Sequence, residues 1–376
     1  MSESDLQMYT HEFFPKRGGI STYCHEFATA TVGRKLSCTV HAPENASLPS
    51  GTQIAYCLTR GNWKGNHNPP AIWQCRQHLT KQLRLSTAGR FLLAEPASIL
   101  AYGSLPAKVR ESSKVYLTLH GSEIARWQKN TIAARFATRA FDSAAGIAGV
   151  SKAIANLASK AFPTAAHKIK AVPNALPHAL RKIQADTQLR QLSAESMRVL
   201  SVGRIHPRKG FEQVISAIAG LPQALRTSIH YTIIGGAKDT HYLQELRQQA
   251  AQTSVNLTIQ LDASDTDLEA AYAQADVFAL TSMPYKSSVE GFGLVYLEAG
   301  AYGLPCIAHD IGGVSDAVIN GQTGALLAPG DTAALTETLK IWLLDPEHRQ
   351  KLGAQNHAFA MSRSWEDVVK ETLNDA

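Results

Sequence analysis

The sequence predicts an α/β protein built on doubly wound parallel sheets. Three observations predict it. The second half alternates short apolar runs with helix-period segments. Glycines and charged residues gather where those runs end, which is where such sheets bind ligands. The chain, at 376 residues, is too long for one ordinary core and suits two domains.

Taken in order, the runs 36–42, 53–58, 90–94, 115–119 and 145–150 read as strands. Helices are expected over 21–32, 72–85, 130–141 and 152–161. Val172-Pro173-Asn174-Ala175-Leu176-Pro177 holds two prolines and no helical period, so it reads as an extended linker. The domain boundary is placed between 170 and 195. Beyond it, strands at 197–203, 230–236, 257–261, 276–280 and 305–308 alternate with helices at 210–219, 241–250 and 266–274. A last helix, Ser364 to Leu373, is expected to cross back to the first domain.

Composition narrows the class. No run of about 18 uncharged apolar residues occurs, so no membrane span is expected. The first thirty residues lack a basic start and apolar core, so no signal peptide is expected. Cys24, Cys38, Cys57, Cys75 and Cys306 are odd in number and widely spaced, which suits free cytosolic thiols rather than a disulfide frame or zinc site. The net charge of +6 hides a split. Residues 1–190 hold 24 Lys and Arg against 10 Asp and Glu, and residues 191–376 hold 13 against 21. The basic half is read either as plain solubility or as attraction to an anionic lipid, an anionic saccharide or nucleic acid.

One stretch concentrates the chemistry. Ser287-Ser288-Val289-Glu290-Gly291-Phe292-Gly293-Leu294 runs into a helix-like segment carrying Glu298, eight positions after Glu290. With a helix start near Gly293, Glu290 lies at its mouth and Glu298 about a turn and a half inside. The exposed amides at Gly293 and Leu294 attract phosphate. Two ionised acids accept hydroxyls on either flank. The set fits a sugar–diphosphate–ribose ligand.

Other segments face strand ends. In Gly203-Arg204-Ile205-His206-Pro207-Arg208-Lys209-Gly210, Arg204 is expected to fork onto a diphosphate and Lys209 to add a point charge. Gly18 and Gly19 allow a backbone amide near phosphate, or belong to a plain loop capped by Ser21. His120, beyond an apolar strand, reads as a hydrogen-bonding group for a sugar hydroxyl or the reaction centre, or as structural. Gly312-Gly313-Val314-Ser315-Asp316 reads as a turn, with a loop below the donor as the alternative. Trp63, Trp73, Leu79 and Leu83, with Arg76, Lys81 and Arg84, suggest an interfacial helix or an ordinary core-packed one. Trp73, Leu79 and Leu83 are expected to share one face. No G-x-G-x-x-G after a strand, P-loop, H-E-x-x-H, G-x-S-x-G or ready D-x-D is present.

These residues resemble a known family. Glu290 to Glu298 matches the E-x7-E motif of the retaining GT-B glycosyltransferases of family GT4, and Gly203-Arg204 with Lys209-Gly210 resembles its G-R-x4-K-G element. Gly18-Gly19, His120-Gly121, Val150-Ser151, Pro173-Asn174 and Gly235-Gly236 follow in the family's order. Ser315-Asp316 departs from a commoner Pro-Glu.

The resemblance implies two Rossmann-like domains facing a deep cleft. An acceptor-side domain would span 1–180, a nucleotide-sugar-binding domain 190–355, and a helix at 356–376 would pack toward the first. By the same resemblance, Glu298 binds the ribose and Glu290 the transferred sugar. Arg204 and Lys209 hold the diphosphate with amides near Gly19, Gly293 and Leu294. His120 lies near the attacked carbon, and Gly235 and Leu261 flank the base. The implied activity is retaining transfer of a hexose, most simply from a UDP-sugar, to a hydroxyl of a glycolipid, polysaccharide or small acceptor. The basic half favours an anionic or lipid-linked acceptor and a peripheral contact at the inner face of the cytoplasmic membrane. No cofactor or metal is expected, since the cations serve the leaving group, and no nucleic-acid partner is expected. The alternative carried forward is a GT-B-fold nucleotide-sugar epimerase.

Overall fold

Two parallel sheets organise the chain in the computed structural model, which describes residues 5–16, 18–43, 50–58, 69–85, 89–183, 196–286 and 288–374. Trp63 and Ser287 lie outside the described residues, and so does the side chain of Cys57. The first sheet contains β1 (Leu6–Tyr9), β2 (Cys38–Pro43), β3 (Gln53–Leu58), β4 (Arg90–Leu93), β5 (Lys114–Leu119), β6 (Gly146–Gly149) and β7 (Ile169–Ala171). Its order is β3-β2-β1-β4-β5-β6-β7. The second contains β8 (Met197–Val202), β9 (Ile229–Ile234), β10 (Asn256–Gln260), β11 (Val277–Leu280), β12 (Cys306–His309) and β13 (Gly324–Leu327). Its order is β10-β9-β8-β11-β12-β13. In both, the strand order reverses beside the first strand, between β1 and β4 and between β8 and β11. That is the doubly wound pattern, and ligands bind at such switch points.

The central strands are buried because helices cover both faces of each sheet. In β5 every residue after Lys114 is buried, and β11 is buried throughout. Unit 1 comprises Met1–Pro177 with Ser364–Ala376, and unit 2 comprises His178–Arg363. The helix Trp365–Thr372 therefore belongs with the first sheet. A capping box between Ser364 and Asp367 starts it. Its fully buried Trp365 meets the edge of Tyr23 with ring centroids 5.4 Å apart. The return begins at Ser364, not 356. The preceding helix Pro346–Met361 stays in unit 2, where Asn356 Nδ2 donates to the Leu304 carbonyl at 2.7 Å.

Several elements lie outside the sequence reading, among them β1, β7, β13 and the helix Pro96–Gly103. β1 is central to its sheet but only four residues long, too short to show a period. β7 and β13 are short edge strands. The helix Pro96–Gly103 is buried at every residue, so it lacks the polar face that would betray it. Glu95 starts it by accepting from the Ala97 and Ser98 amides at 2.8 and 2.7 Å.

The helix Pro69–Leu85 corrects the expected shared apolar face. Cys75, Leu79 and Leu83 are buried against unit 1, whereas Trp73 is 58% exposed on another side. The six positions between Trp73 and Leu79 turn them well away from each other at 3.6 residues per turn.

Candidate active site

In unit 2 the chemistry gathers beyond the carboxyl ends of β8 and β11, on either side of the switch point. After β8 the chain passes Gly203 and makes a 3-10 turn, Pro207–Lys209. His206 caps that turn, its Nδ1 accepting from the Arg208 amide at 3.1 Å. Gly210 follows at φ 68°, a left-handed conformation that glycine adopts freely. A Cβ there would lie 1.9 Å from the Thr281 carbonyl oxygen. That close approach lets the β8 loop lie on the chain leaving β11. Met283 N donates to Arg208 O at 2.8 Å, and Thr281 Oγ1 donates to Gly210 O at 2.7 Å.

This pairing of loops brings Lys209 and Glu290 together. Lys209 Nζ donates to Glu290 Oε2 at 2.8 Å, and Arg208 Nη1 donates to the same oxygen at 2.6 Å. Ser282 Oγ donates to it as well, at 3.2 Å. The Glu290 side chain is only 11% exposed. Burial alone pushes its carboxyl up; Lys209 and then Arg208 outweigh burial and bring it down to about 2. Lys209 shows the mirror effect. Burial lowers its ammonium, and Glu290 works against that.

The helix Leu294–Ala301 begins at Gly293, whose φ of 93° supplies no side-chain cap to the first amides. Tyr296 Oη anchors it by donating to the Leu280 carbonyl at 2.7 Å. Glu298 sits half-buried in its second turn. Tyr272 Oη donates to Glu298 Oε2 at 3.0 Å and stacks on Tyr302 at 5.3 Å. Burial pushes the Glu298 carboxyl up, and the Tyr272 hydrogen bond works against it. The two acids thus differ in setting: Glu290 is held by cations, Glu298 by a phenol.

Gly312 and Gly313 are more than a turn. Gly313 N donates to the Glu290 carbonyl at 2.9 Å, and a Cβ on Gly312 would lie 2.2 Å from that oxygen. They fix the backbone of the acid. Gly235 and Leu261 follow β9 and β10, joined by Gly235 N donating to Gln260 O at 3.1 Å. Arg204 is exposed and makes no ion pair among the described residues, in contrast to the buried work of its neighbours.

Sequence reasoning missed Arg208, Ser282 and Tyr272. A signal for Arg208 was present: His206-Pro207 before Arg208-Lys209 is a cap followed by a proline at the first turn position, which orients both cations.

In unit 1, His120 follows β5. Its Nε2 lies 3.0 Å from the Ala94 carbonyl, which only accepts, so Nε2 carries a proton and donates it there. Its backbone amide donates to Glu123 Oε1 at 2.5 Å, and Tyr23 meets the ring edge-on at 5.2 Å. The helix Gly19–Gly33 starts at Gly18, which is extended and uncapped by a side chain. Ser21 is buried within the first turn and does not cap. A Cβ on Gly18 or Gly19 would meet nothing within 4 Å, so both face open space. Among the described residues, no three His, Cys, Asp or Glu are grouped to hold a metal ion, and no helix is long and apolar enough to cross a membrane.

Two family profiles match the chain. "Glycosyl transferases group 1" matches residues 185–358, and "Glycosyltransferase Family 4" matches residues 17–180. The chain is 26% identical over 387 aligned positions to the GDP-mannose-dependent alpha-(1-6)-phosphatidylinositol monomannoside mannosyltransferase of Mycobacterium tuberculosis, covering 99% of this chain and 97% of the relative. It is 35% identical over 178 positions to the glycogen synthase of the same organism, 46% of this chain and 41% of the relative. Among solved structures, sucrose-phosphate synthase from Thermosynechococcus elongatus superposes with a TM-score of 0.77 at 19% identity, over 98% of this chain and 97% of that one. The last likeness concerns the fold, which is that of the GT-B glycosyltransferases.

Proposed function

Because this chain belongs to the group 1, family 4 glycosyltransferases, we propose that it transfers mannose from GDP-mannose, with retention, to a hydroxyl of an anionic lipid-linked saccharide. The transferase class follows from the family, which favours transfer over epimerisation. The donor proposed here replaces the UDP-sugar expected from sequence, because the relative matched over nearly the whole chain is named for GDP-mannose.

The observation that carries the reading is the meeting of Arg208, Lys209 and Glu290 beside the uncapped start of the Leu294–Ala301 helix. Breaking the anomeric C–O bond places negative charge on the departing diphosphate. Two side-chain cations and the helix-start amides answer that charge. No divalent metal is needed for this role. Glu298, accepting from Tyr272 through one oxygen, is proposed as the ribose contact. Glu290 is proposed to accept hydroxyls of the transferred sugar. Retention is proposed to arise from front-face attack: the acceptor oxygen bonds to the anomeric carbon, the carbon–phosphate oxygen bond breaks, and the acceptor's proton passes to the leaving phosphate oxygen. His120 is proposed as a polar contact for the sugar, and Gly18 and Gly19 as an amide site for phosphate. Gly235 and Leu261 are proposed to border the base, and exposed Arg204 to reach the outer phosphate.

The acceptor class is supported by the surface of unit 1. Residues 124–141 contain Arg126, Lys129, Arg135 and Arg139 and no Asp or Glu. Ile132 among them is 68% exposed. The helix Thr131–Ser143 and the helix Pro69–Leu85, with exposed Trp73, both pack on the helix Pro96–Gly103. Cations around exposed apolar side chains suit the inner, anionic face of a membrane.

The test is a transfer assay with GDP-mannose, UDP-glucose and ADP-glucose against vesicles carrying a phosphatidylinositol mannoside. Mannosyl transfer from GDP-mannose, lost in Glu290→Ala with its melting transition retained, is expected. Turnover with UDP-glucose alone, or normal turnover in Glu290→Ala, contradicts the reading.

A further inference from the structure

Three donors converge on one oxygen of Glu290. Arg208 Nη1, Lys209 Nζ and Ser282 Oγ all reach Oε2, at 2.6, 2.8 and 3.2 Å. Two cations and a hydroxyl that serve one carboxylate oxygen would serve a phosphate oxygen by the same charge-assisted hydrogen bonds. We propose that Glu290 stands in for the donor's phosphate, so that a bare nucleoside diphosphate must take Arg208 and Lys209 away from this carboxylate in order to bind.

This inference rests on the donor-site reading above. A diphosphate and Glu290 compete for the same two cations. When the cations turn to the ligand, a carboxylate with an 11% exposed side chain loses its neutralising partners, which is unfavourable. The intact nucleotide sugar compensates, because its sugar hydroxyls are donors that a carboxylate accepts. The diphosphate product has no such hydroxyls at that point. The penalty therefore falls on the product and spares the donor. Glu290 acts twice: it receives the sugar, and it weakens retention of what remains after the sugar has left. The backbone tie between Gly313 N and Glu290 O keeps the acid in place during the exchange.

The test titrates GDP and GDP-mannose by calorimetry into the full-length protein and its Glu290→Gln variant, which keeps the shape and removes the charge. The variant is expected to bind GDP about tenfold more tightly than the wild type, the scale of relieving one competing charge. Its affinity for GDP-mannose is expected to rise less or to fall. Equal or weaker GDP binding by a folded variant overturns the inference while leaving the donor site standing. A wild-type protein that binds neither GDP, UDP nor ADP removes the donor site, and this inference with it. Should Glu290→Gln fail to fold, the wild type labelled with 13C at the glutamate carboxyls answers the same question. The Glu290 titration is expected to move up by about one unit or more on saturation with GDP as its cations leave. An unmoved midpoint overturns the inference.

Discussion

Glu290 and Glu298 are the same side chain in two electrical settings, and each setting has a measurable consequence. Glu290 has its folded-state carboxyl lowered from 4.5 to about 2. A lowered carboxyl contributes stability above its unfolded value, and that stability is lost as pH falls toward the folded one. The wild type is therefore expected to lose about 2 kcal/mol between pH 5 and 3 from this group. Urea unfolding across that range should show a steeper pH slope in the wild type than in Glu290→Gln. Parallel slopes would remove the ion pairs from the folded protein in solution. Glu298 is raised by burial and steadied by Tyr272. Tyr272→Phe keeps the stack on Tyr302 and removes one hydrogen bond to a charged group. GDP affinity is expected to fall by about 1–2 kcal/mol, read by calorimetry. Unchanged affinity would separate Glu298 from the ribose. Both acids were legible in the sequence, because their spacing and the glycines between them are local. Arg208 was not singled out although its local signal was present; its pairing with Glu290, 82 positions away, is what only folding brings about.

Among the elements, the loops after β8 and β11 are positioned by backbone contact as much as by side chains. Gly210 allows the two to touch, with a left-handed φ and the Thr281 carbonyl where a Cβ would stand. Gly210→Ala is expected to destabilise the protein by about 2 kcal/mol or more, from strain and clash together, and to weaken GDP binding. A variant with wild-type stability and affinity would show that the loops meet without this approach. Sequence reading recovered the second sheet well because its strands are apolar runs bounded by glycines. It lost β1 and the helix Pro96–Gly103 for a physical reason: one is too short to show a period, and the other is buried on every side. It also set Trp73 with Leu79 and Leu83, where the helical turn separates them.

At the scale of the whole molecule, charge is divided between the two halves of the chain. The first 190 residues carry 24 cations against 10 acids, and the remainder 13 against 21. A basic lobe with exposed Ile132 and Trp73 is expected to sediment with vesicles containing anionic lipid and to release as salt rises. Arg135→Glu with Arg139→Glu should reduce that binding by about 30-fold or more, at about 1 kcal/mol per cation near the surface. Binding that ignores both salt and these substitutions would assign the charge to solubility alone. The charge split and the two-sheet architecture were both visible in the sequence. The last helix was read over Ser364 to Leu373, against the broader 356–376 that the resemblance implied, and the Trp365 contact with Tyr23 agrees with the narrower start.

The central claim is that the cations after β8 take the donor's diphosphate, and calorimetric titration of GDP into wild type and Lys209→Ala tests it most directly. The account predicts that the substitution weakens binding by about 1–3 kcal/mol, the cost of removing a charged hydrogen-bond partner. An affinity for GDP that does not change when Lys209 is lost contradicts it.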